Sequence, residues 1–232
     1  MSIASRLTDP HGNGAVVHAG APLSGAALAV VLLHGRGGSA EDILGLASAF
    51  NLADVAYTAP QAAGHTWYPQ SFLAPREANE PYLSSALATI ERVVRSIAQA
   101  GVPRDRIVIA GFSQGACLST EFLASHPARY GGLIAFTGGL IGAPGTLHFR
   151  AEPDAKNALA GTPALFCSGD PDPHVPWKRV EESASILSAM GAVVTTRRYP
   201  GRPHTISAEE LALGRSFLET ARNQQQQLDP SK

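Results

Sequence analysis

The apolar positions of the chain fall into short, nearly continuous runs separated by longer stretches of helical period. Residues 27–33 are almost wholly apolar, as a strand covered on both faces must be. Residues 55–59, 107–110, 133–137 and 164–168 repeat the pattern, residues 192–199 read as the last strand, and residues 16–18 read as a short edge strand. In residues 82–100, Leu83, Leu87, Ile90, Val94 and Ile97 recur at helical spacing, and Gly101 with Pro103 closes that helix. Ser39, followed by Glu41 and Asp42, has the chemistry of an N-cap for a helix continuing through residues 44–50. Further helices are expected after residue 113, over residues 180–190, and over residues 207–221. Strand and helix alternate throughout, which predicts an α/β fold with a mostly parallel central sheet and helices on both faces.

No internal repeat or long linker divides the 232 residues, so residues 15–222 are expected to form a single domain. Residues 1–14, broken by Pro10, Gly12 and Gly14, read as a loosely ordered segment. Residues 140–161 show no strong period and read as an irregular, cap-like segment. The glutamine-rich residues 223–232 read as a disordered tail. Hydrophobic residues make up 44% of the chain and charged residues 16%, enough apolar material for one large core. A net charge of −1 offers no electrostatic basis for binding nucleic acid or an anionic membrane surface. The apolar runs are too short to span a membrane, and the polar start lacks a signal-peptide core, so a cytoplasmic location is expected. Cys117 and Cys167 lie in apolar segments and read as reduced core residues, with no spacing suited to a metal site.

The candidate chemistry centres on Ile107-Val108-Ile109-Ala110-Gly111-Phe112-Ser113-Gln114-Gly115. A β-branched run enters Gly-x-Ser-x-Gly and a small-residue helical segment follows, the context of a nucleophile elbow. The turn is so tight that Gly111 and Gly115 must be nearly free of side chain. Ser113 is then held in a strained conformation, with its hydroxyl at the carboxyl edge of the sheet. The helix beginning there aims its N–H groups at the same point, where a tetrahedral oxyanion can be held.

A serine nucleophile needs a base and a group to orient that base, in the chain order Ser, acid, His for an α/β-hydrolase. Of the histidines after Ser113, His126 ends the elbow helix, His148 lies in the irregular segment and His174 adjoins the acid candidates. His204 follows the last strand in a loop shaped by Gly201 and Pro203, and is the expected base. Asp170 and Asp172 both follow the 164–168 strand, and spacing alone does not separate them. One oxyanion donor is expected from the backbone N–H of Gln114, and the other from the glycine-rich loop His34-Gly35-Arg36-Gly37-Gly38. That loop lacks both the dinucleotide glycine pattern and a Gly-Lys-Ser/Thr ending, which argues against phosphate binding.

With these pieces assembled, the chain resembles the phospholipase/carboxylesterase family of α/β-hydrolases, which includes acyl-protein thioesterases and small bacterial carboxylesterases. The resemblance rests on Leu33-His34-Gly35, the loop from Pro60 to Tyr68, Gly111-Phe112-Ser113-Gln114-Gly115-Ala116, Asp172-Pro173-His174-Val175-Pro176 and the His204 loop. It spans about residues 28–220. It implies that Asp172 is the acid and Asp170 its structural neighbour, and that the N–H of Arg36 pairs with that of Gln114 in the oxyanion hole. The thioesterase branch typically has Leu where this chain has Arg36, which places the chain nearer the bacterial esterases. The expected activity is that of a serine carboxylesterase using Ser113, Asp172 and His204, with no cofactor or metal, on small-molecule esters. Trp67, Tyr68, Phe72, Leu140 and Ile141, with Leu147 and Phe149, are expected to contact substrate. The irregular segment is too short for a lipase lid, so short- to medium-chain acyl groups are expected. Thioester, lysophospholipid or lactone hydrolysis and a non-catalytic binding role are the competing readings. An apolar surface around the pocket could support a homodimer.

Overall fold

The computed structural model describes residues 9–147 and 157–228. Its centre is a seven-stranded sheet in the order β1-β3-β2-β4-β5-β6-β7. The strands are β1 (Val16–Gly20), β2 (Leu28–Leu33), β3 (Val55–Pro60), β4 (Ile107–Phe112), β5 (Gly132–Phe136), β6 (Pro163–Asp170) and β7 (Val193–Pro200). All pairings are parallel except that of β1 with β3. The helices among the described residues are α1 (Ala40–Phe50), α2 (Tyr82–Gln99), α3 (Gln114–Ser125), α4 (Trp177–Ala189) and α5 (Ala208–Leu228). The alternation of elements thus gives the expected α/β-hydrolase architecture.

The two faces of the sheet explain why its inner strands are apolar throughout. Successive side chains of a strand point to opposite faces. Ala29, Val31 and Leu33 of β2 accordingly join one core with Ile107, Ile109, Leu133 and Ala135. Leu28, Val30 and Leu32 join the other with Val108, Ala110, Ile134 and Phe136. The first core is closed by α2, through Leu83, Leu87, Ile90, Val94 and Ile97, and by α3 and α4. The second is closed by α1 and α5, through Ile43, Phe50 and Leu218. Ser39 caps α1 through a reciprocal box with Asp42, which fixes where the helix leaves the glycine-rich loop.

Strand order reverses at β2. The chain runs from β2 outward to β3, then crosses back to β4 on the other side of β2. Loops leaving β2 and β4 therefore diverge at their carboxyl ends and open a crevice, the usual ligand position in open α/β sheets. Both the 34–38 loop and the Ser113 turn leave the sheet there.

Two segments differ from expectation. Residues 9–14 are folded onto the domain: His11 is 1% exposed, and its N–H donates to Ser85 Oγ at 2.9 Å. The glycines there make tight turns, and the buried imidazole anchors the segment. The last helix continues to Leu228, through glutamines expected to be irregular. Glutamine is a good helix former, and neither Gly nor Pro interrupts the run. No helix among the described residues is long and apolar enough to cross a membrane.

Candidate active site

The turn after β4 has the conformation that its glycines require. Ser113 has φ 54° and ψ −116°, a strained backbone for a non-glycine residue. A Cβ on Gly111 would lie 2.4 Å from the carbonyl carbon of Gly115, and one on Gly115 would lie 2.0 Å from Leu33 O. Neither position accepts a side chain. Ser113 N donates to Phe136 O at 3.0 Å and Ser113 O accepts from Cys117 N at 3.0 Å, pinning the turn between β5 and α3.

Three side chains from separate loops meet in series. His204 Nε2 lies 2.8 Å from Ser113 Oγ, and its Nδ1 lies 2.9 Å from Asp172 Oδ2 and 3.1 Å from Oδ1. With Nδ1–H donating to the carboxylate, Nε2 is free to accept the serine proton. Asp172 is covered, its side chain 0% exposed. Burial pushes its carboxyl pKa up, but hydrogen bonds from His174 N, His204 and Val175 N outweigh that and hold it below the usual carboxylate value. The group therefore stays ionised beside the imidazole. Asp170 turns away and pairs with Arg198. The His204 ring lies between Phe112, with centroids 5.1 Å apart, and His174, edge-on at 4.8 Å.

The loop carrying His204 is held from behind by Arg202. The carbonyls on either side of His204, Pro203 O and Thr205 O, both accept from Arg202 Nη1, while Nη2 donates to Thr137 Oγ1 at 2.7 Å. Arg202 Nε lies 3.2 Å from Glu210 Oε2, both side chains almost wholly buried. Glu210 also caps α5 with Ser207. The Ser-x-x-Glu spacing was the one signal for this assembly in the chain; nothing in the pattern marked Arg202.

On the other side of Ser113, the Gln114 side chain accepts from Trp67 N and donates to Tyr68 O, each at 2.9 Å. The elbow residue itself thus fastens the loop that walls the site. The N–H of Gln114 opens α3, where no intrahelical acceptor exists, and the N–H of Arg36 has no acceptor among the described residues. Arg36 and Gln114 line the same cleft as Ser113.

The cleft beside Ser113 has a volume of about 520 Å³. Tyr68 and Phe72 line it, together with Phe112, Cys117, His174 and Val175, which sequence reasoning missed. Trp67 does not: it is fully buried, with Nε1 donating to His34 O at 3.0 Å, and it supports the wall from behind. Leu140 and Ile141 are also core residues, 0% exposed. Their backbone is drawn inward by Arg179 Nη1 on the carbonyls of Leu140 and Gly142 and by Ser183 Oγ on Leu140 N. Residues 140–142 are therefore embedded, and none of the described residues of the 140–161 segment lines the cleft. Leu147 borders a different groove, beside Lys178 and Ile186. His148 and Phe149 lie outside the described residues.

A model of the phospholipase/carboxylesterase family matches residues 13–222. The crystal structure of a phospholipase/carboxylesterase from Dyadobacter fermentans is similar, with a TM-score of 0.83 at 45% identity, covering 89% of this chain and 97% of that one. Acyl-protein thioesterase 1 of Gibberella zeae is 32% identical over 118 residues, 51% of this chain and 49% of that protein. Acyl-protein thioesterase 1 of Neurospora crassa is 29% identical over 143 residues, 62% and 57% of the two chains. The matched stretch thus spans about half the length of these curated relatives.

Proposed function

The chain belongs to the phospholipase/carboxylesterase family, and from that membership we propose that it is a serine carboxylesterase acting on short- to medium-chain esters. The observation that carries this reading is the unbroken series Ser113 Oγ, His204, Asp172 at the mouth of the cleft. Ser113 Oγ attacks the ester carbonyl while its proton passes to His204 Nε2, and Asp172 stabilises the imidazolium. The N–H groups of Arg36 and Gln114 hold the oxyanion. The C–O bond to the alcohol then breaks, and the alcohol departs with the proton from His204. Water, deprotonated by His204, attacks the acyl-enzyme and releases the acid, returning the proton to Ser113 Oγ. Tyr68 and Phe72 form the apolar wall against the substrate.

Hydrolysis of 4-nitrophenyl acetate and butyrate by the wild type and by Ser113→Ala, with fluorophosphonate labelling alongside, tests this reading. Activity and labelling that both vanish in Ser113→Ala support it. A folded wild type that neither turns over ester nor labels overturns it, and a rate maximum at long acyl chains overturns the chain-length assignment. The names of the two fungal relatives favour acyl-thioester hydrolysis as a second reading. A kcat/KM for an acyl-thioester above that for the matched oxygen ester would select it.

A further inference from the structure

The cleft carries a fixed positive charge that hydrolysis of a neutral ester does not use. Arg36 follows Gly35, a residue so near the nucleophile that a Cβ on it would stand 3.6 Å from Ser113 Cβ. The Arg36 guanidinium donates to Pro69 O at 3.1 Å and Gln70 O at 2.8 Å, and lies 5.9 Å from the centre of the Tyr68 ring. Tyr68 is in turn fastened to Gln114. An exposed arginine usually loses much of its pairing energy to the entropy of being ordered. Here the side chain is already ordered, and its acceptors are neutral carbonyls that leave its charge uncompensated.

The described lining of the cleft contains Arg36, His174 and His204 but no aspartate or glutamate. Asp172 bonds the opposite edge of the His204 ring from Ser113 and is covered. The planar fork of Arg36 retains N–H groups beyond the two already bonded, in the geometry that suits a carboxylate. Resting on the serine-esterase reading above, we propose that the preferred substrates are esters bearing a carboxylate, which Arg36 receives at the rim of the cleft. Such substrates are monoesters of dicarboxylic acids or esters of carboxylated alcohols.

Two matched pairs separate these sources: mono-4-nitrophenyl adipate against 4-nitrophenyl hexanoate for a charge on the acyl side, and 4-acetoxybenzoate against phenyl acetate for one on the alcohol side. The readout is the charged-to-neutral ratio of kcat/KM in wild type, Arg36→Gln and Arg36→Lys. Taking a ratio within each variant cancels any disturbance of the oxyanion loop or of residues 69–70. In at least one pair the ratio should fall about tenfold in Arg36→Gln, be partly retained in Arg36→Lys, and shrink with added salt in the wild type. The pair that responds identifies the half of the ester that carries the charge. Ratios unchanged by Arg36→Gln in both pairs, with the neutral esters still hydrolysed, overturn the proposal and leave the esterase reading intact. A wild type that turns over none of the four esters overturns both.

Discussion

Replacing Arg202 with methionine should cost both stability and turnover, and the two losses should separate. The native guanidinium is 7% exposed and faces a Glu210 carboxylate that is 0% exposed. Methionine fills a similar volume but leaves that carboxylate buried without its cation, a loss of about 3–5 kcal/mol for a broken buried pair. It also frees the carbonyls of Pro203 and Thr205 and the hydroxyl of Thr137. Thr137 has φ 58°, an uncommon conformation for a β-branched residue, and Arg202 helps to hold it. With its flanking carbonyls released, His204 no longer stays 2.8 Å from Ser113 Oγ. An ångström of misplacement costs roughly 100-fold in rate. Urea unfolding measures the first effect, and kcat on 4-nitrophenyl butyrate, at a temperature where circular dichroism shows a folded protein, measures the second. Adding Glu210→Gln should recover part of the stability by removing the stranded charge, but none of the kcat. Arg202→Lys keeps the charge without the planar fork, so it should be the milder change in stability and still lose turnover with KM nearly unchanged. A folded Arg202→Met variant with wild-type kcat would refute the claim that this side chain positions the base.

Buried polar contacts elsewhere in the fold have measurable consequences of their own. His11 Nδ1 accepts from Ala63 N, and His34 Nε2 accepts from Ala62 N, so both rings are held neutral, and burial pushes both pKa values below 6.5. Because the unfolded chain takes up these protons first, their contribution is complete above pH 6.5. It is lost as pH falls below that value, by about 1.4 kcal/mol per pH unit for each ring until the folded value is reached. Urea midpoints between pH 7.5 and 5.5 should fall accordingly and fall less in His11→Gln, which cannot take up the proton; an equal slope in both proteins would count against it. Gln114→Leu strands the buried N–H of Trp67 and the carbonyl of Tyr68 and should destabilise by about 1–3 kcal/mol. Its catalytic effect should appear mainly in kcat/KM, and wild-type values of both quantities would show that the loop does not depend on it.

Much of the sheet was legible because strands buried on both faces cannot hide their composition. Residues 27–33 and 107–110 could be little else once glycine-rich turns followed each. The Ser113 turn was legible for a steric reason, since the 2.0 Å approach to Leu33 O excludes every residue but glycine at position 115. The cleft wall was not. Trp67 and Tyr68 are adjacent aromatics in one loop, yet one lies beneath the wall and the other lines the cleft. Gln114 holds the dipeptide by its two outer backbone groups, Trp67 N–H and Tyr68 C=O, a long-range contact with no local trace. Leu140 and Ile141 misled similarly. An irregular apolar segment reads as a surface flap until a buried arginine from α4 is seen to satisfy its carbonyls.

These anchors share a chemistry that follows from the fold. Loops at the carboxyl ends of parallel strands leave backbone carbonyls without sheet partners, and burying such a carbonyl unpaired costs as much as a lost hydrogen bond. Apolar packing cannot supply the missing donors. The protein supplies them with planar, multi-donor side chains: Gln114 for residues 67–68 and Arg36 for residues 69–70 of one loop, Arg179 for residues 140–142 and Arg202 for residues 203–205. Three of the four are buried and hold their loops against the core, where removing the donor strands a carbonyl and moves the loop together. Arg36 alone is exposed, bonded to carbonyls at the mouth of the cleft. Arg179 and Arg202 are covered beside the carboxylates of Glu182 and Glu210, whereas the acceptors of Arg36 are neutral carbonyls. Leaving this one open to the cleft makes sense if its remaining N–H groups have a ligand to meet.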